Sequence, residues 1–182
     1  MSQDTDKYCE LKLAPRILII PVNLYQWRLI MRLVLQRVSN ANVVIDGREV
    51  ASIGKGLLVL VGIGFDTTEE EMKSLAEKVI NLRIFQDDAG KMNLSVLDVK
   101  GEILLVSQFT LYADCRKGRR PSYTDAAPPE KAKQMYDRFV NILKEIYPYK
   151  IESGIFQAMM DVNLCNAGPV TIILNRDDLK RK

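Results

Sequence analysis

Histidine is absent from this chain. Its absence excludes Ser-His-Asp and Cys-His catalysis, zinc sites that need imidazole, and any histidine general base. Cysteine is scarce: Cys9, Cys115 and Cys165 stand far apart with no C-x-x-C spacing. That pattern points to neither a metal site nor a disulfide framework, and free thiols without a secretory signal favour the cytosol. Long apolar runs are missing too. The nearest candidate, residues 17–30, is interrupted by Pro21, Asn23, Gln26 and Arg28, short of the roughly 18 apolar residues that span a bilayer. Asp4, Asp6 and Glu10 precede it, which argues against a transit peptide. The net charge is only +3, with a pI near 8.7. That balance permits a polyanionic partner without demanding one.

What is present is an ordinary globular composition, 182 residues with 47% hydrophobic and 27% charged, enough for one domain with a sizeable core. Residues 1–30 show no period and end just before a second methionine, Met31. From Met31 the alternation reads as a strand, with Leu33, Leu35 and Arg37 on one face and Arg32, Val34, Gln36 and Val38 on the other. Asp46-Gly47 supplies a hairpin turn. "KGLLVLVGIG" reads as a strand buried on both faces. A helix follows, capped by Thr67 or Thr68, with Glu70 at capping-box spacing from Thr67 and an apolar stripe of Met72, Leu75, Ala76, Val79 and Ile80. "GEILLVSQFTLYAD" reads as one long strand. Pro129 opens a second helix, its stripe made by Ala132, Met135, Tyr136, Phe139, Val140, Leu143 and Ile146. Two more strands follow, interrupted at Asn166–Pro169, and "RDDLKRK" reads as a solvated tail. The order predicts a single α+β or α/β domain with a curved mixed or antiparallel sheet, barrel-like, and two main helices.

Two stretches carry polar residues where strands are expected. In "SQFTL", residues 107–111, a strand would place Ser107 on the face of Phe109 and Leu111, and a polar residue facing a core needs a partner. In "NAGPVT", residues 166–171, Gly168-Pro169 offers neither a side-chain group nor a proline donor to a ladder. On base rates alone an ordinary trans turn is expected there. Arg116, Lys117, Arg119 and Arg120 form a short basic loop that reads as solvated, or as a weak phosphate track with no aromatic among its residues. "GIG" at 62–64 lacks the rest of any nucleotide fingerprint, and "FQAMM", 156–160, reads as core.

Taken together, "MRLVLQRV" (31–38), "IGKGLLVLVGI" (53–63), the block 91–123 that contains SQFTL, and "NAGPVT" resemble the D-aminoacyl-tRNA deacylase family from Met31 to about Asn175. The resemblance implies a deacylase domain over 31–182, with 1–30 as an extension outside it. It implies hydrolysis of D-aminoacyl-tRNA, and of glycyl-tRNA mischarged on tRNA-Ala, without cofactor or metal. It implies a cytoplasmic homodimer with sites at the interface, tRNA as partner, and neither DNA nor membrane. Ser107, Gln108, Phe109 and Thr110 would line the adenosine pocket and hold the oxyanion donors. A cis Gly168-Pro169 pair reaching across from the partner would exclude L side chains sterically. Catalysis would draw on the tRNA 2′-hydroxyl, and Thr110, once proposed as a nucleophile in the family, has no base to activate it. Arg37, Met160, Asn166 and Ala167 would bind substrate. Gln157 stands where the family has glycine and Ala167 where it has aspartate, differences that bear on substrate range and on backbone conformation beside the pocket. The rival reading is a catalytically silent tRNA-binding or interaction module on the same fold.

Overall fold

The computed structural model describes residues 30–179. The expected extension over 1–30 therefore lies outside the described residues except for Ile30, which is buried. The strands are β1 (Arg32–Ile45), β2 (Arg48–Ile53), β3 (Gly56–Gly62), β4 (Phe85–Gln86), β5 (Met92–Leu94), β6 (Glu102–Ser107), β7 (Ile151–Ser153) and β8 (Asp161–Leu174). The helices are α1 (Glu69–Asn81) and α2 (Pro129–Ile146). The main sheet runs β2-β1-β3-β6-β7, with β8 along the other side of β1. It is mixed: β1 pairs antiparallel with β2, β3 and β8, whereas β3–β6 and β6–β7 are parallel. Parallel neighbours need long crossovers, and α1 and α2 lie in those two connections. A small β4–β5 pair sits in the first crossover.

The sheet curves, and each face has its own core. Leu33, Leu35, Leu57, Val59, Ile103 and Leu105 pack under Leu75, Val79, Phe139 and Leu143 of the helices. Burying each such side chain contributes about 1.5–3 kcal/mol. The alternate residues, Val38, Val43, Ala51, Leu58, Leu104 and Val106, fill the concave side. The two-sided burial of β3 follows from its continuous apolar run.

Several local expectations are corrected. The cap of α1 is Thr68 with Glu71, which exchange both hydrogen bonds of a capping box. Thr67 is buried instead, its hydroxyl donating to the Gly64 carbonyl at 2.9 Å. On α2 the stripe takes in Ile142, and Ile146 is left exposed because the helix ends there. The end of the chain is not wholly solvated: residues 176–179 make a 3-10 turn and Leu179 packs on the core. The last strand is not interrupted by NAGPVT but runs through it as β8 with an irregular register.

Tyr147, just past α2, ties that helix to the loop before β6. Its buried hydroxyl lies 3.0 Å from the Val96 carbonyl and 2.7 Å from that of Gly101, and burial pushes its pKa up to about 12. Tyr147→Phe leaves one of these carbonyls without its donor. It should lower unfolding free energy by about 1–2 kcal/mol, read by urea titration with an unchanged m-value. A variant as stable as the parent would show that water replaces the hydroxyl at no cost.

Candidate active site

The first motif sits where β6 stops. The expected long strand ends at Ser107, and Phe109–Tyr112 forms a 3-10 turn. The Gln108 N–H still donates to the Val61 carbonyl at 2.8 Å, after which the chain leaves the ladder. The alternation expected for residues 107–111 therefore fails: Phe109 is 59% exposed rather than turned to the core with Ser107. The Gln108 side-chain amide donates to the Thr110 hydroxyl across the turn. The turn packs directly on Gly62, where an added Cβ would meet Leu111 Cβ at 3.1 Å and the Gln108 carbonyl at 3.2 Å. Arg32, on β1, fastens the turn from beside it. Its Nη1 donates to the Leu111 carbonyl at 2.6 Å, its Nε donates to Asn175 Oδ1 at 3.1 Å, and its guanidinium lies 5.2 Å from the Tyr112 ring centre.

The second motif is a bulge in β8. Asn166 pairs with Val38 and Thr171 with Gln36, so residues 167–170 stand opposite Arg37 alone. The Gly168-Pro169 peptide bond is cis, not the trans turn that base rates predict, and both residues are exposed. Asn166 spans the bulge: its Oδ1 accepts from the Val170 N–H at 2.9 Å and its Nδ2 donates to Thr171 Oγ1 at 3.2 Å. Arg37 backs the bulge, donating from Nε to the Ala167 carbonyl at 2.9 Å and from Nη1 to the Ile84 carbonyl at 2.6 Å. Gly168 has φ of +127°, and an added Cβ there would collide with Arg37 Nη2. The positive φ favours glycine at this position, and a larger residue would also force the Arg37 guanidinium from its place behind the bulge.

Arg37, Asn166, Ala167, Gly168 and Pro169 thus form one group, and Ser107, Gln108, Phe109 and Thr110 another. The sheet keeps them apart within one chain. Ser107 aligns with Val61, and Val61 with Leu33, whereas the bulge aligns with Arg37, four residues further along β1. At about 3.3 Å per residue that is roughly 13 Å along the strands. Three strand spacings, β6 to β3 to β1 to β8, add roughly 14 Å across. Met160 belongs to neither group directly; it packs into the concave core with Val106, on the strand that ends in Ser107. Of "FQAMM", Phe156 does pack on the main core but Met159 is exposed. Gln157 holds φ of +65°, so the chain keeps a left-handed conformation there despite the side chain.

The basic loop is closed at its foot by paired backbone hydrogen bonds between Asp114 and Ser122, 2.8 and 2.9 Å. Arg116 is held by Asp114 at 2.7 Å, and this pairing draws the Asp114 carboxyl down to about 2. Lys117, Arg119 and Arg120 are exposed. Sequence reasoning missed Arg32, Gly62 and the exposed aromatic Tyr123 at the loop's end. Only Tyr123, next to "RRPS", offered a signal. Among the described residues no group of three or more acidic or cysteine side chains converges as a metal site, and no helix is long and apolar enough to cross a membrane.

A sequence model of the family described as D-Tyr-tRNA(Tyr) deacylase matches residues 34–175, which puts this mixed α/β barrel among the hydrolases that act on aminoacyl-tRNA. A D-aminoacyl-tRNA deacylase of Thermosipho africanus (strain TCF52B) is 59% identical over 145 residues, covering 80% of this chain and 97% of the relative. One of Thermotoga petrophila (strain ATCC BAA-488 / DSM 13995 / JCM 10881 / RKU-1) is 57% identical over 149 residues, covering 82% and 99%. Among solved structures, a c-Myc DNA Unwinding Element Binding Protein is 41% identical with a TM-score of 0.76, covering 79% of this chain and 97% of the other. A probable eukaryotic D-amino acid tRNA deacylase is similar in fold alone, at 18% identity and a TM-score of 0.68, covering 79% and 98%. The chain belongs to the D-aminoacyl-tRNA deacylase family.

The bulge generates a prediction of its own. Asn166→Ala removes the acceptor of the half-buried Val170 N–H and should cost about 1–2 kcal/mol, with faster hydrogen exchange at that amide. Asn166→Asp, which keeps an acceptor oxygen, should restore most of the loss. Equal exchange rates in parent and Ala variant would show that Asn166 does not hold the bulge.

Proposed function

We propose that the catalytic unit spans residues 31–182 and that each site is built by two copies of the chain, the Phe109–Tyr112 turn of one meeting the Gly168-Pro169 bulge of the other. The observation that carries this reading is the separation of the two motifs across β1 and β3. Gly168 and Pro169 point to solvent in one chain. The outer edge of β8 is long and exposes Leu164 and Ile173, a surface that a second copy would cover.

In this site Ser107, Gln108 and Phe109 line the space for the terminal adenosine, with Met160 beside them. The first amide groups of a helical turn have no partner within it, so the start of the turn offers N–H donors to the developing oxyanion. The carbonyls of Gly168 and Pro169, in the bulge that Arg37 and Asn166 brace, form a wall that an L side chain strikes. A D-amino acid or glycine clears it, which is selection by built-in clash. Glycyl-tRNA mischarged on tRNA-Ala is cleaved for the same reason.

Thr110 is not the nucleophile. Its hydroxyl oxygen accepts a hydrogen bond from the Gln108 amide, and the chain has no histidine to take its proton. An ester is activated enough for water positioned with the help of the tRNA 2′-hydroxyl. The enzyme works in the cytoplasm on tRNA, not on DNA or at a membrane, and Arg116, Lys117, Arg119 and Arg120 lie along the path of the tRNA backbone.

The test is deacylation of matched D- and L-tyrosyl-tRNA and of glycyl-tRNA in the presence of chelator. D-tyrosyl-tRNA and glycyl-tRNA should be cleaved and L-tyrosyl-tRNA spared. Ser107, Gln108, Phe109, Thr110 and Asn166 bring no histidine or carboxylate to the site, so the pH profile of kcat should carry no inflection from these side chains between about pH 5 and 9. Thr110→Val should stay within about tenfold of the parent. Equal cleavage of both enantiomers, or a trapped Thr110 acyl-enzyme, would overturn the mechanism.

A further inference from the structure

The surface beside the turn holds two large rings that the core does not use. Phe109 is 59% and Tyr123 39% exposed, and their rings meet edge to face, centroids 5.1 Å apart with 67° between planes. An edge-to-face pair leaves ring faces open to stacking. Tyr123 follows the foot of the closed basic loop directly, one residue past Ser122. Within that loop Arg116 is neutralised by Asp114, whereas Lys117, Arg119 and Arg120 make no ion pair among the described residues. Open aromatic faces flanked by uncommitted cations are the two ingredients of a single-stranded nucleic-acid site. An apolar peptide surface would not need the cations, and a solvated loop would not need the rings.

We infer that Tyr123, with the outward face of Phe109, is a stacking site for an unpaired base of the tRNA acceptor end, upstream of the terminal adenosine, and that Lys117, Arg119 and Arg120 take the adjoining phosphates. The inference rests on the tRNA reading of the neighbouring turn and deepens it. Phe109 directly follows Gln108 in that turn, so this surface adjoins the space proposed for the terminal adenosine and is within reach of the nucleotides that precede it. Binding on the platform adds affinity for tRNA and leaves the chemical step alone, because Tyr123 is outside the turn that faces the ester.

The test compares fluorescence anisotropy of the full-length protein with uncharged tRNA, and with the same tRNA trimmed of its unpaired 3′ nucleotides, alongside kcat and KM for D-tyrosyl-tRNA. Tyr123→Ala should weaken binding of intact tRNA about ten- to a hundredfold, leave trimmed tRNA unaffected, and raise KM with kcat unchanged. Tyr123→Phe should bind as the parent does. Replacing Lys117, Arg119 and Arg120 by Ser should reduce the slope of log affinity against log salt by about 2. Several results would overturn the inference: a parent that binds intact and trimmed tRNA alike, a Tyr123→Ala protein that loses both equally or neither, or one that falls in kcat rather than KM. A Tyr123→Ala protein that changes its oligomeric state in sedimentation would assign the surface to a second copy of the chain. Loss of deacylation in the parent with the binding pattern intact would instead count against the proposed function and leave the stacking site standing.

Discussion

Two strands, β1 and β3, stand between the SQFTL turn and the NAGPVT bulge, and the position of both motifs depends on them. β1 is hydrogen-bonded on both sides, to β3 and β2 along one edge and to β8 along the other. It cannot be displaced to bring the two motifs together without dismantling both cores. The same strand supplies an arginine to each motif, Arg32 to the turn and Arg37 to the bulge. One element therefore fixes both motifs while holding them apart, and this geometry is what supports the proposed site shared between two copies.

The device suits an enzyme with no histidine. The chemistry asked of it is modest, because the ester of an aminoacyl-tRNA is activated, and the proposed help of the substrate's own hydroxyl lessens it further. The harder task is discrimination between mirror images, and a wall of backbone does that only if it does not give way. The bulge is accordingly braced from both sides. Asn166 replaces the missing ladder bond with a side-chain bond to Val170, and Arg37 lies directly behind Gly168, where a larger residue would have to displace it. In the proposed mechanism selectivity lies in carbonyl positions, and the side chains nearest to the bulge act by holding backbone in place.

The helices, the two-faced strand β3 and the overall mixed barrel were legible because each rests on periodicity over many residues, which a single sequence carries well. So were the two motifs, whose residue types resemble one family in order and spacing. Features set by contacts distant in sequence were not legible. Alternation extends a strand through Phe109 because nothing local shows that Gln108 bonds to Val61 and turns away. The choice between Thr67 and Thr68 as cap depends on Gly64 claiming the Thr67 hydroxyl. The continuity of β8 through Pro169 depends on Asn166 bridging four residues along and on Arg37 from a strand 130 positions away. The aromatic flank of the basic loop went unread because Phe109 and Tyr123 meet only in the fold.

The central claim is that no single chain holds a complete site, and mixing two defective proteins tests it most directly. Gly168→Ala damages the bulge of every chain that carries it, and Gln108→Ala damages the turn. Each homodimer should be inactive toward D-aminoacyl-tRNA. After the two are unfolded together and refolded, half the dimers pair one of each, and each such dimer holds one intact turn facing one intact bulge. Activity should return to about a quarter of the parent's for a two-fold dimer mixed at random. If the mixture stays as inactive as its components while heterodimers are present by mass spectrometry, the site is not shared between chains and the account fails.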